Sequence, residues 1–195
     1  MTEFVLVRHG ETDWNIEGRL QGARDVPLNA TGISQARAVA TILAGESWDV
    51  VISSPLARAY DTAIQMVDTI GIAESDIVID SRLKERNYGA AEGLDLAERE
   101  SRFPDGVWPD VETHEMLDLR TQSVMEEFAK THAGKRVVLV THGGWIRSVL
   151  RVISSNDAEV SEIHIPNASC SWISHDGHAW QLGNLGVAEH LPIFD

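Results

Sequence analysis

Two apolar runs in the chain end in a histidine followed by glycine: Val7-Arg8-His9-Gly10 and Val140-Thr141-His142-Gly143. A third run, Val50-Val51-Ile52, ends in Ser53-Ser54-Pro55 and leads at once to Arg58. One histidine at a strand end is an ordinary structural residue. Two such ends, with Arg8 and Arg58 at the same rim, make a cluster able to bind and attack an anion. The arginine fork matches a phosphoryl or carboxylate group in two-point contact and stabilises charge on equatorial oxygens. One neutral imidazole can attack phosphorus and form a phosphohistidine while the other donates a hydrogen bond. Gly143-Gly144 opens a helical stretch whose free N–H groups and dipole also favour an anion. A leaving alkoxide would then need a proton from a nearby carboxylic acid.

Hydrophobic patterning indicates which elements position these groups. Phe4 to Val7, Asp49 to Ser54 and Arg136 to Thr141 are short, nearly continuous apolar runs, the pattern of strands buried on both faces. Between them lie helical patterns: Ile33, Ala36, Val39, Ala40 and Leu43 after Thr31-Gly32, then Ala57 to Ile70, Leu117 to Lys130, and Trp145 to Ile153. This alternation predicts an α/β protein, a single-domain three-layer α/β/α unit with a mostly parallel central sheet. Ligands of such sheets bind at the carboxyl ends of the strands, where both histidines stand. Ser169 to Ser174 and Ala179 to Leu182 predict a closing hairpin with Asp176-Gly177 at its tip. No repeat or linker divides residues 1–195, and the Pro- and Gly-marked segment around 95–115 reads as an irregular loop or lid.

Composition sets the class. The chain has 195 residues, 43% hydrophobic and 24% charged, which is ordinary globular usage. Thirty acidic against sixteen basic residues leave a net charge of −14, which disfavours nucleic acid and anionic membrane as partners. One cysteine, Cys170, forms no internal disulfide, and no leader-like or bilayer-spanning run occurs, so a cytoplasmic protein is expected. Cys170 is no phosphatase nucleophile either, because the arginine that chemistry wants six positions on is Asp176. No two aspartates lie two apart, and no phosphate-loop or dinucleotide glycine pattern occurs. His175 and His178 flank a turn rather than a metal, and the six tryptophans are expected mainly in the core. With two arginines to supply the charge a metal would bring, neither metal nor cofactor is expected.

The motifs go further than the chemistry. Arg8-His9-Gly10-Glu11-Thr12-Asp13-Trp14-Asn15 resembles the R-H-G-E-T-x-x-N signature of the histidine phosphatase superfamily, the phosphoglycerate mutase-like proteins. Ser53-Ser54-Pro55-Leu56-Ala57-Arg58-Ala59 is similar to its second block, Leu83-Lys84-Glu85 with Gly89 and Glu92-Gly93 to its third, and Thr141-His142-Gly143-Gly144 to the second-histidine motif. Glu189-His190-Leu191 matches its terminal H-L. The resemblance implies that His9 is phosphorylated and that Arg8, Arg58 and His142 hold the phosphoryl group. It implies Glu85 as proton donor to the leaving oxygen and then as base for water. Asn15, Gln21, Gly22 and the Gly143 N–H would complete the phosphate pocket.

Three functions compete on this reading: a metal-independent phosphomonoester hydrolase acting on a small phosphorylated metabolite, a 2,3-bisphosphoglycerate-dependent phosphoglycerate mutase, and an inactive binding module. Intact His9, Arg8, Arg58, Glu85 and His142 disfavour the third. Mutases that the chain resembles carry a longer insertion after the Tyr88-Gly89 segment, with a lysine and adjacent arginines for the second anionic group. Here Leu96 takes the lysine position, while Arg99 and Arg102 stand apart among acidic residues. Hydrolysis is therefore the expected reaction, and a homodimer is compatible with the sequence.

Overall fold

A computed structural model of the chain describes residues 1–191, and residues 192–195 of the expected 1–195 domain lie outside them. Among the described residues, six strands form one sheet: β1 (Thr2–Arg8), β2 (Val50–Ser53), β3 (Val78–Ile79), β4 (Arg136–Thr141), β5 (Cys170–His175) and β6 (Trp180–Leu182). Their order is β3-β2-β4-β1-β5-β6. β3, β2, β4 and β1 run parallel, while β5 pairs antiparallel with both β1 and β6. The expected mostly parallel sheet and its antiparallel closing hairpin are both present.

Helices cover the two faces because strand side chains alternate. Val5 and Val7 of β1 enter one core with Val39, Ala40 and Leu43 of α2 (Ala30–Leu43) and Ala59, Ala63 and Met66 of α3 (Ala57–Val67). Phe4 and Leu6 enter the other with Leu117, Val124 and Phe128 of α5 (His114–Thr131) and Trp145, Ile146 and Val149 of α6 (Gly143–Ile153). Leu6 and Leu139 are fully buried, so truncation of either to alanine should cost about 2–5 kcal/mol. The remaining helices are short: α1 (Asp13–Ile16), α4 (Leu96–Arg102) and α7 (Ala158–Ser161). No helix among the described residues is long and apolar enough to cross a membrane.

Several boundaries differ from the sequence reading. α5 begins at His114 rather than Leu117, because the Thr113 hydroxyl accepts the Met116 N–H at 3.1 Å and caps the helix there. α3 ends at Val67 rather than Ile70, and the chain then turns at Gly71, which has a φ of 77°. The segment around 95–115 is not wholly irregular. Asp95 and Glu98 form a reciprocal cap that starts α4, and the stretch beyond it is fastened by Ala90 N–H to Pro109 C=O (3.0 Å) and Glu112 N–H to Asn87 C=O (2.8 Å). Only Trp48 and Trp145 of the six tryptophans are buried; Trp14, Trp108, Trp172 and Trp180 are half-buried. Strand β3 escapes sequence reading because it is two exposed residues long.

Candidate active site

Parallel register brings the two histidines together. Val7 lies opposite Val140 and Arg8 opposite Thr141, so the next residue on each strand, His9 and His142, leaves the sheet at the same edge. The His9 N–H still bonds the Thr141 carbonyl at 2.9 Å, and the ring centroids are 5.2 Å apart. On the other side of β4, Ser53 lies opposite Val140 and the Ser54 N–H bonds the Val140 carbonyl at 3.0 Å. Ser54 therefore stands beside His142, and its hydroxyl lies 2.8 Å from His142 Nε2.

Hydrogen bonding sets both imidazole tautomers. His9 Nδ1 is 2.7 Å from the Gly10 carbonyl, which can only accept, so Nδ1 carries the proton and Nε2 presents its lone pair. Ser54 Oγ accepts the Leu56 N–H and lies against His142 Nε2, and we assign its hydrogen to that nitrogen because no other acceptor for it is present among the described residues. The His142 proton then sits on Nδ1, a buried atom with no partner among the described residues. Burial, followed by the charge of Arg58, lowers both histidines well below the usual value of 6.5. Both rings are neutral at pH 7.

The arginines are anchored by backbone carbonyls at one end. Arg8 Nη1 donates to Ile165 C=O at 2.7 Å, while Arg58 donates through Nη1 to Arg24 C=O (2.7 Å) and through Nη2 to Gly22 C=O (2.8 Å). The Nε of each is buried without a partner among the described residues. Burial pushes Arg58 down to about 10, so it remains cationic at neutral pH. Gly22 accepts Arg58 from a φ of 54°, and a side chain there would strike the Glu92 carboxylate. That carboxylate ties the loop to its neighbour by accepting the Ala23 and Tyr88 N–H groups at 2.8 and 3.2 Å.

The helix-terminus expectation needs correction at α6. The Gly144 and Trp145 N–H groups do not face an open anion site; they donate to Glu85 Oε2 (3.0 Å) and Oε1 (3.1 Å). Oε1 also accepts the Arg86 N–H at 2.8 Å. Glu85 is thus held by three backbone donors and is not a freely solvated surface acid. A Cβ on Gly144 would lie 2.5 Å from Oε1, so glycine is what allows this approach. Gly143, one residue earlier, packs instead against Arg8, whose Nε would stand 3.3 Å from a Cβ there.

Arg8, His9, Asn15, Gln21, Gly22, Arg58, Glu85 and Gly143 all line one cavity of about 190 Å³. His142 is fully buried and does not line its wall, although its ring adjoins His9. Asn15 Oδ1 is occupied by Thr12 and by the Asn167 side chain at 3.1 Å, which leaves its amide nitrogen for a ligand. Gln21 is buried, and its Oε1 has no partner among the described residues. The wall also contains Arg19, Leu20, Tyr88 and Arg147, which sequence reasoning did not select. Arg147 carried a usable signal, since it lies one helical turn beyond Gly143-Gly144. Asn167 carried none: it comes from the segment before β5 and bonds the His9 and Gly10 carbonyls at 3.1 and 3.2 Å. No tryptophan lines the cavity; Trp108 reaches it only through an edge contact with Tyr88, centroids 6.3 Å apart.

Comparison with known proteins gives a consistent picture. The family described as "Histidine phosphatase superfamily (branch 1)" matches residues 4–187. The chain is 39% identical over 196 residues to the uncharacterized phosphatase PhoE of Bacillus subtilis, covering 100% of this chain and 99% of that one. It is 35% identical to the metal-independent phosphoserine phosphatase of Arabidopsis thaliana, covering 98% and 84%. It is 34% identical to the probable phosphoglycerate mutase GpmB of Escherichia coli, covering 98% and 95%. Among solved structures, YhfR of Bacillus stearothermophilus superposes with a TM-score of 0.90 at 25% identity, over 98% of this chain and 100% of that chain.

Proposed function

The chain belongs to the histidine phosphatase superfamily and is a phosphatase within it; on that premise we propose that it hydrolyses small phosphomonoesters through a phosphohistidine at His9, without a metal ion. The observation that carries this reading is a neutral His9 with its Nε2 lone pair free, lining one cavity with two guanidinium groups whose Nε atoms have no partner among the described residues. The Arg8 and Arg58 guanidinium groups balance the phosphoryl charge and the Gly143 N–H donates to its oxygens, while His142 lies behind the His9 ring with its Nδ1 hydrogen available once the phosphoryl group is bonded to His9. Asn15, Gln21 and the Gly22 segment bound the same pocket. His9 Nε2 attacks phosphorus, the ester P–O bond breaks, and the leaving oxygen takes a proton from Glu85. Oε2 is the oxygen suited to carry that proton, since it accepts one N–H where Oε1 accepts two. Glu85 then takes a proton from water, whose oxygen attacks phosphorus while the P–N bond breaks, releasing inorganic phosphate and free His9.

A cavity of about 190 Å³ suits a small metabolite, being under the ~300–1,000 Å³ typical of sites for drug-sized ligands. Hydrolysis is favoured over phosphoryl return by the state of the surrounding cations. Arg86 bonds the Glu112 carbonyl (2.6 Å) and His114, and Arg120 is held by Glu112 and by the Arg82 and Lys84 carbonyls. Arg99 and Arg102 lie over the Trp108 and Phe103 rings. None of these four lines the cavity, where a retained bisphosphate would need them. The test is rapid quenching with a labelled phosphomonoester, followed by peptide mapping. Acid-labile, base-stable label on the His9 peptide is expected, with phosphate release surviving exhaustive chelation. Incubation with 3-phosphoglycerate, with and without 2,3-bisphosphoglycerate, should yield free phosphate; isomerisation faster than release would overturn the hydrolase reading.

A further inference from the structure

Four arginines line the cavity, and three have evident duties. Arg8 and Arg58 face the phosphoryl position. Arg19 is engaged through Nε by Glu17 (2.8 Å) and through Nη1 by Glu98 (2.6 Å) and the Gly93 carbonyl (2.6 Å). The fourth, Arg147, is exposed and has no hydrogen bond or ion pair among the described residues. In a chain with thirty acidic side chains and a net charge of −14, an uncommitted guanidinium on the wall of a reaction cavity calls for a ligand.

Its position in α6 gives the direction. Helical side chains lean toward the helix N-terminus, so Arg147 extends back over the preceding turn, where Gly143 and Gly144 have no side chains to obstruct it. That turn is the one that grips Glu85. Arg147 therefore shares the leaving-group wall with Glu85 and Tyr88, while its charge also reaches Arg8 at the phosphoryl position. The group it meets belongs to the alcohol half of the substrate.

We infer that Arg147 binds a carboxylate on the leaving alcohol, and that the substrate is a small phosphorylated hydroxy acid or amino acid. The inference rests on the hydrolase reading and adds the substrate class. A carboxylate suits a single exposed guanidinium better than a second phosphoryl group. It is planar and singly charged, matching the fork in two-point contact, and it is compact enough for a cavity of about 190 Å³ already holding one phosphoryl group. A second dianion would instead face Glu85 and the acidic residues around Arg19 with one cation to balance it.

Paired substrates that differ only at the carboxylate test this directly: O-phosphoserine against O-phosphoethanolamine, and 3-phosphoglycerate against glycerol 3-phosphate. In Arg147→Ala the ratio of kcat/KM within each pair should fall about tenfold, the scale of one charge-assisted contact at a partly exposed site. Arg147→Lys should recover part of it. A ratio within twofold of the parent in both pairs would overturn the inference. So would a loss confined to a three-carbon bisphosphate, which would mark a second phosphoryl site. Calorimetric binding of the same pairs to His9→Ala, with and without Arg147→Ala, separates the two levels. If the parent hydrolyses nothing, the hydrolase reading fails, while a tenfold loss of O-phosphoserine affinity still supports the carboxylate contact and unchanged affinity refutes it.

Discussion

The cavity has two halves built on different principles. On the phosphoryl side, His9, His142 and Arg58 are buried and fixed by strand register and backbone carbonyls. On the leaving-group side, Tyr88, Glu85 and Arg147 come from a loop and a helix, and the wall is fastened by contacts such as Glu92 to Tyr88 N–H and Trp108 to Tyr88. On the proposed function the first half repeats one task, holding a tetrahedral dianion, and gains from rigidity. The second must fit whatever alcohol is being released, and side chains there can change without disturbing the sheet. On this proposal, chemistry is placed by the fold's core and selectivity by its rim.

The sharpest way to break this division is to remove the nucleophile. His9→Ala should lower turnover by at least about 10³-fold on every ester, because no second group is placed to carry the phosphoryl. Steady-state assays with nitrophenyl phosphate and an alkyl phosphate would show it, and activity above ~1% of the parent would place the nucleophile elsewhere. Glu85 sits on the boundary between the halves, so its removal should discriminate between substrates. Glu85→Gln should slow alkyl phosphates by about 10²-fold, within the range of general acid catalysis, and nitrophenyl phosphate far less, since that leaving group needs no proton. Equal losses would mean that Glu85 only shapes the wall.

The same division explains what the sequence discloses. Buried parallel strands read as continuous apolar runs, and each run here leads to the sheet edge where the cavity lies, so the convergence of Arg8, His9, Arg58 and His142 was legible from pattern and placement. Glu85 was not legible from pattern, because an acid between Lys84 and Arg86 looks like a solvated one. Only its motif lifted it, and its place in the site depends on a glycine 59 residues away. Gly144 was read as opening an anion site, but the anion it serves belongs to the protein itself. Asn167 was invisible, because its role depends on a hairpin return that no local signal specifies.

Gly144 offers a finer probe of that same boundary. Because a Cβ would lie 2.5 Å from Glu85 Oε1, Gly144→Ala must shift the carboxylate while leaving the α6 backbone in a conformation that alanine adopts freely. Its loss should copy the substrate pattern of Glu85→Gln at a smaller scale, about tenfold on alkyl phosphates, with the melting temperature nearly unchanged. A uniform loss on all esters would show that the shift reaches Arg8 and the phosphoryl side instead.

The smallest effect concerns stability and separates the halves by pH. Burial first, then the Arg58 charge, lowers His9 and His142 well below 6.5, so the folded protein leaves both rings unprotonated where the unfolded chain begins to bind protons. Stability falls wherever the unfolded state holds more protons as pH drops, so this contribution is neutral above about pH 7 and destabilising below about 6.5, down to the folded pKa values. Each histidine then costs up to about 1.4 kcal/mol per pH unit. Asp80 and Asp118 act in a separate, lower window: hydrogen bonds from Arg82 and Arg151 outweigh burial and hold them below 3.8. Urea unfolding between pH 7.5 and 5.0 should therefore show a slope that shallows by about one proton in His142→Gln. Arg147→Ala, on the exposed half, should leave that slope as it is. If both variants shift the slope alike, the phosphoryl half does not hold its histidines neutral by burial, and the contrast between a fixed floor and an adaptable rim fails at its physical root.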